Sequence, residues 1–365
     1  MRDSWVIALF SSLAVMAMGS LAWANRDRVA TGHNDFVSFY TGARLVGTTG
    51  LYDVAQAHAF QEQLLGGTSE AWRYIRLPYF AALLWPLGRL PFHTAYLAWQ
   101  ALSIAAVAGF VLLWKPTARP LTVLFTCLSL PVAVALMNGQ DLTFLLLFLA
   151  ASVYGLRRGR PFLAGLAFAL CAVKFHLFLL APLLLVNRRN WRWGAGAAAG
   201  LGVLLLVSFA VAGPAWPGAY YRVLTDPNIH PSLEQMPNLH GLLGRWGWPA
   251  PVEWILTAAV AAVVAFTAAR RSFEYALAAA LAGGVLVSYH SYLADCALLL
   301  PATLVVLAET ASRLLRMLTV VLLTPLTGFL LLNSPATAAV MPLALVAMLS
   351  LIGRDAARSA DPVEG

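Results

Sequence analysis

Long apolar runs separated by short polar turns dominate the chain. They occupy residues 4–24, 93–114, 120–137, 142–156, 161–187, 194–213, 254–269, 275–290, 293–309, 314–333 and 335–353. An α-helix needs about 20 such residues to cross a hydrocarbon core roughly 30 Å thick. The pattern therefore predicts an all-α polytopic membrane protein. No soluble stretch is large enough to fold separately, so residues 1–365 read as a single integral membrane domain. LPYFAALLWPLGRLP (77–91) is apolar but short and bounded by prolines, which suits an interfacial or partly inserted helix.

Composition sharpens this. The chain is 60% apolar and 11% charged, with mean hydropathy +0.75, against about 25% charged residues in soluble domains. The net charge of +8 sits mostly in arginine clusters between apolar runs, including RRGR (157–160) and RRNWR (188–192). That placement fits cytoplasmic loops and lipid head groups, and excludes a nucleic-acid partner. The turns NGQ (138–140) and NSPA (333–336) carry no cation and read as outer turns. The segment 161–187 has arginines on both flanks, so it reads as a broken hairpin of two short halves with Lys174 and His176 at its tip.

About twelve membrane elements result, with both termini inside and two long outer segments, 25–92 and 214–253. Arg2 ahead of the first run and Ala22, Trp23 and Ala24 after it also admit a cleaved signal peptide. The length of the run, about 20 residues, favours a spanning helix. Cys127, Cys171 and Cys296 lie in apolar runs without CxxC spacing, which indicates neither a metal site nor a disulfide framework.

Candidate chemistry concentrates on the outer segments. Asn34 and Asp35 precede Phe36, Phe39 and Tyr40, the pattern of a capped helix with an aromatic face lying on the bilayer. Asp35 is either that cap or a general base. Asp53 reads as the cap of a following helix. Arg73 and Arg76 suit phosphate or lipid head groups. Lys174, deep in apolar sequence, must snorkel, pair with a carboxylate or meet a phosphate. His176, His240 in MPNLHGLLGR (236–245) and His290 in SYHSYLAD (288–295) are either hydrogen-bonded structural histidines or ligands of phosphate and sugar hydroxyls. No HExxH, DxD, phosphate-cradling glycine loop or GxSxG occurs, so metalloprotease, nucleotide-sugar and serine-hydrolase chemistry have no support.

The stretches NDFVSFYTGARLVGTTGLYD (34–53), LPYFAALLWPLGRLP, NGQ and RRGRPFLAGLAFALCAVKFHLFLLAPLLLVNRRNWR, with the two later segments, resemble glycosyltransferase family 87. These are membrane enzymes of the GT-C superfamily that move mannose or a related sugar from a polyprenyl phosphate carrier. The resemblance implies a GT-C-type bundle and an inverting transfer, with Asp35 as general base and Lys174 on the donor phosphate, assisted by Arg76 and His290. Asn34, Tyr40, Gln140, His176, Asn238 and His240 are candidate acceptor or sugar contacts. A leaving phosphate needs no metal or other cofactor where lysine or arginine neutralises it. The expected partners are a polyprenyl-phosphate-linked donor, a lipid or glycan acceptor and membrane lipids. The expected location is a bacterial cytoplasmic membrane, with the site facing outward. Rival readings are a flippase or transporter of lipid-linked substrates and a glycan ligase or polymerase.

Overall fold

The computed structural model describes residues 4–67, 72–226 and 232–358, and every regular element among them is helical. Arg2 lies outside the described residues, while Ser4–Ala24 forms one helix. Five helices are long and apolar enough to span a bilayer: Phe92–Leu113, Pro161–Phe178, Arg188–Ala212, Ala250–Arg270 and Ala336–Arg358. Two bent pairs bring the number to seven, Arg119–Cys127 with Leu130–Met137 at 57° and Arg313–Leu323 with Leu326–Asn333 at 59°. Large apolar side chains face outward along the spans, among them Leu97, Leu102, Ile104, Val203 and Leu206. Such a surface is unfavourable in water and matched to lipid, and the protein is an integral membrane protein.

Segment 161–187 is kinked at Lys174, whose φ of −123° and ψ of 58° leave the helical region. Helix Pro161–Ala169 runs alongside the start of the helix Trp191–Ala212. A Cβ on Gly165 would lie 2.0 Å from the Trp193 carbonyl, and one on Gly196 would lie 2.0 Å from that of Phe162. Only glycine permits this approach, the small-residue device of packed membrane helices. The two arginine clusters flanking the segment therefore share one end of the bundle, with Lys174 toward the other.

Other cations collect at the arginine-rich end. Arg157 donates to the Lys115 carbonyl and to Glu274, and Arg271 pairs with Asp355. The opposite end is built around helix Phe36–Leu45, whose residues Phe36 to Ala43 are all buried. Its rings pack into protein rather than onto lipid, so the expected bilayer-facing aromatic stripe is corrected. Phe36 and Phe39 meet Trp99 with centroids 5.7 and 5.5 Å apart, and Trp99 meets Phe144 at 4.8 Å. Rings bury as well against one another as against acyl chains, and each such pair adds about 0.5–1.5 kcal/mol beyond area burial. Helix Pro78–Gly88 covers the same cluster, with Gly88 against the Ala43 backbone. It spans roughly 16 Å, too short to cross the core.

Candidate active site

The Asp35 backbone is fixed by the NGQ turn. Its N–H donates to the Asn138 carbonyl at 3.2 Å, and the Asn34 side-chain amide donates to the Met137 carbonyl at 3.1 Å. Gly139 holds a left-handed φ of 62°, and a Cβ there would meet Asn34 Oδ1 at 2.7 Å, so only glycine suits the position. Trp99 closes the turn by donating its indole N–H to the Gly139 carbonyl. Asp35 occupies the N-cap position of helix Phe36–Leu45, yet its carboxylate makes no cap bond. Asn34 Oδ1 takes the Phe36 N–H instead. The Asp35 carboxylate is thereby released toward a cavity of about 610 Å³ that it lines together with Arg73, Arg76, Gln140, His290 and Tyr292.

Segment 72–77 forms one wall and is held through its backbone. Gln61 brackets Trp72 with two hydrogen bonds, Ser38 donates to the Arg73 carbonyl, and Tyr52 donates to the Arg76 carbonyl at 2.7 Å. The guanidinium groups then find carboxylates. Arg73 pairs with Asp226 of the segment 214–253. Arg76 donates from Nε to Asp141 Oδ2 at 2.6 Å and from a terminal nitrogen to Asp141 Oδ1 at 3.3 Å, the bidentate geometry of a strong pair. Another N–H reaches the Ile75 carbonyl. An arginine has five N–H donors, which leaves two without a partner among the described residues.

Beneath this wall lies a network of opposed charges. Lys174 Nζ donates to Asp295 Oδ1 at 2.6 Å and to Gln140 Oε1 at 3.1 Å, and stands 3.6 Å from Asp141 Oδ1. Asp295 also accepts the Tyr292 N–H at 2.8 Å. Two cations and two carboxylates thus balance inside the protein, as buried charges require. Asp35 stands outside that balance, bonded to the neutral Gln140 amide. Burial pushes its carboxyl above the ordinary carboxylate value, against the Gln140 hydrogen bond and the charges of Lys174 and Arg76. Burial likewise holds His290 below the ordinary imidazole value, with Lys174 and Arg76 acting in the same direction and Asp295 against it. His290 therefore enters neutral at pH 7, as a hydrogen-bonding group rather than a cation.

Of the residues singled out in the sequence, Asp35, Arg73, Arg76, Gln140 and His290 meet at the cavity. Lys174 does not line it and is carboxylate-paired behind Gln140. His176 is half-buried within electrostatic range of Asp295 and Lys174. Tyr40 is corrected to a core residue, its hydroxyl donating to the Leu90 carbonyl at 2.7 Å among aromatic rings. Asn34, fully engaged with Met137, Tyr96 and Phe36, is a structural latch. Asn238 caps helix Leu239–Arg245 through the Gly241 N–H and donates to the Ser288 carbonyl and Ser291. His240 pairs with Glu253 at 3.1 Å and packs on Tyr289, off the cavity wall. Asp53 caps its helix through the Gln56 N–H.

Asp141 and Asp295 were missed. Asp141 directly follows the NGQ turn and Asp295 closes SYHSYLAD, and the signal for both is a charge count around Lys174 and Arg76. A single buried cation implies a carboxylate nearby.

No curated protein and no solved structure matches the chain. The model of glycosyltransferase family 87 matches residues 77–294, more than half of the sequence, which takes in Gln140, Asp141, Lys174 and His290, begins immediately after Arg76 and leaves Asp35 well upstream of the match. With that match over the helical membrane core and the polar cavity at one end of it, the chain belongs to glycosyltransferase family 87.

Proposed function

We propose that the protein transfers a hexose from a polyprenyl-phosphate-linked donor to a lipid or glycan acceptor, at the end of the bundle opposite the arginine clusters. The observation that carries this reading is the Asp35 carboxylate, which opens into a cavity beside two arginines and, among the described residues, is bonded to a neutral amide alone. An acidic group with a raised pKa and a free lone pair is suited to take a proton near neutral pH. The acceptor hydroxyl oxygen bonds to the anomeric carbon as the bond from that carbon to the phosphate oxygen breaks. The electron pair stays with the phosphate, the hydroxyl proton passes to Asp35, and the configuration at carbon inverts.

Arg76, with its two uncommitted N–H donors, and Arg73, the more accessible of the pair, would hold the leaving phosphate. Neutral His290 would hydrogen-bond the sugar or phosphate. Lys174 has its donors committed to Asp295 and Gln140 and the Asp141 carboxylate beside it, so it supports the site from behind. The arginine-rich end reads as cytoplasmic by the positive-inside rule, which supports an outward-facing cavity at the opposite end. The apolar helices around it suit a donor carried on a membrane lipid.

The test is transfer by the purified protein in lipid vesicles. Radiolabelled sugar should move from the polyprenyl phosphate donor to an acceptor. Transfer from a nucleotide sugar alone, with the lipid-linked donor inert, would reject the proposal.

A further inference from the structure

Gln140 sits between two groups of fixed hydrogen-bonding character. Lys174 has only donors and an ionised carboxylate only acceptors. The amide must therefore turn its oxygen to Lys174 and its NH2 to Asp35, and the structure has this arrangement. The orientation usually ambiguous for a glutamine is dictated here by its neighbours. Lys174 is in turn fixed by Asp295 at 2.6 Å, and the Gln140 backbone is anchored by its N–H to the Ala135 carbonyl at 2.8 Å. A chain of three contacts thus runs from the buried ion pair to the cavity.

We infer that Gln140 is a positioning residue for Asp35, with Lys174 locking its amide so that an N–H always faces the carboxylate. This rests on the proposed role of Asp35 as base. The amide binds one carboxylate oxygen and leaves the other turned to the acceptor. Its proton stabilises the ionised form and so offsets part of the effect of burial. Asp35 also faces Lys174, Arg76 and Asp141, and shares the cavity with Arg73, His290 and Tyr292. Unlike these, the Gln140 amide is bonded directly to the carboxylate. Lys174 acts through it.

The pH profile of kcat/KM for transfer from a polyprenyl-phosphate-linked sugar tests the inference in wild type, Gln140→Leu and Gln140→Glu. Gln140→Leu removes the donor to the ionised carboxylate. Gln140→Glu keeps the shape and an acceptor for Lys174 but sets a like charge beside Asp35. In both, the acid limb should move up by about one pH unit. A purely structural role would lower the amount of active protein without moving the limb. An acid limb at the wild-type pH in both variants overturns the inference. If Gln140→Leu fails to fold, the isosteric Gln140→Glu decides alone. Asp35→Asn, measured alongside, separates the two claims. An active Asp35→Asn removes the base itself. An inactive one, with unmoved limbs in the Gln140 variants, leaves the base and removes its positioning.

Discussion

At the arginine-rich end of the bundle, Arg157 meets Glu274 at 3.0 Å with their side chains 42% and 16% exposed. At the cavity end, Arg76 meets Asp141 and Lys174 meets Asp295 at 2.6 Å, with no side chain of the four above 7%. The chemistry of the pairs is alike and their surroundings are not. An exposed pair forms at little cost and contributes about 0–1 kcal/mol. A buried pair must first offset the desolvation of both ions, and it stabilises less than well-packed apolar side chains of the same volume. Four buried charges are therefore a poor way to hold helices together. They are a good way to fix the position of a polar group, since losing any one of them leaves the remaining buried charges unbalanced. The first end carries the arginine clusters on which the proposed orientation rests. The second holds the cavity proposed for the chemistry.

Breaking a pair at each end puts numbers on this difference. Asp295→Asn leaves Lys174 without its nearest carboxylate and should cost about 3–5 kcal/mol, read as a large fall in thermal stability of the detergent-solubilised protein. Wild-type stability in that variant would remove the network from the account. Acidification strikes the cavity end next. The proposed base works only when ionised, and burial raises the pKa of Asp35. The rate should fall about tenfold for each pH unit below that pKa, beginning above the ordinary carboxylate range. A profile flat down to pH 4 would contradict this.

Smaller effects sharpen the same contrast. Asn34→Ala removes the acceptor for the Phe36 N–H and the latch onto Met137, for an expected loss of about 1–2 kcal/mol and a weaker hold on Asp35. Arg157→Ala at the opposite end should change stability by less than about 1 kcal/mol and leave transfer intact. A large loss there would show that exposure does not separate the two pairs.

Much of this arrangement can be read from the chain. Apolar runs announce the helices, because lipid tolerates no unsatisfied backbone. Asp35, Arg76, Gln140 and His290 stand out as polar residues beside apolar runs, and the fold gathers them at one cavity. The carboxylate partners of the cations are harder to see. Arg76 and Asp141 lie 65 residues apart and Lys174 and Asp295 lie 121 apart, and pairing over such distances leaves no periodic trace. Tyr40 and its neighbouring rings misled for another reason. An aromatic face suits a bilayer and a protein core equally, and only the packing of helices Pro78–Gly88 and Phe92–Leu113 against it decides.

The most direct measurement compares wild type with Asp35→Asn, at equal amounts and equal thermal stability in vesicles, for release of sugar from the lipid phosphate onto an acceptor. Removing a general base should slow transfer by about 10²–10⁴-fold while donor binding persists. Transfer by Asp35→Asn at the wild-type rate would show that this carboxylate takes no proton, and that the cavity around it is not where the sugar moves.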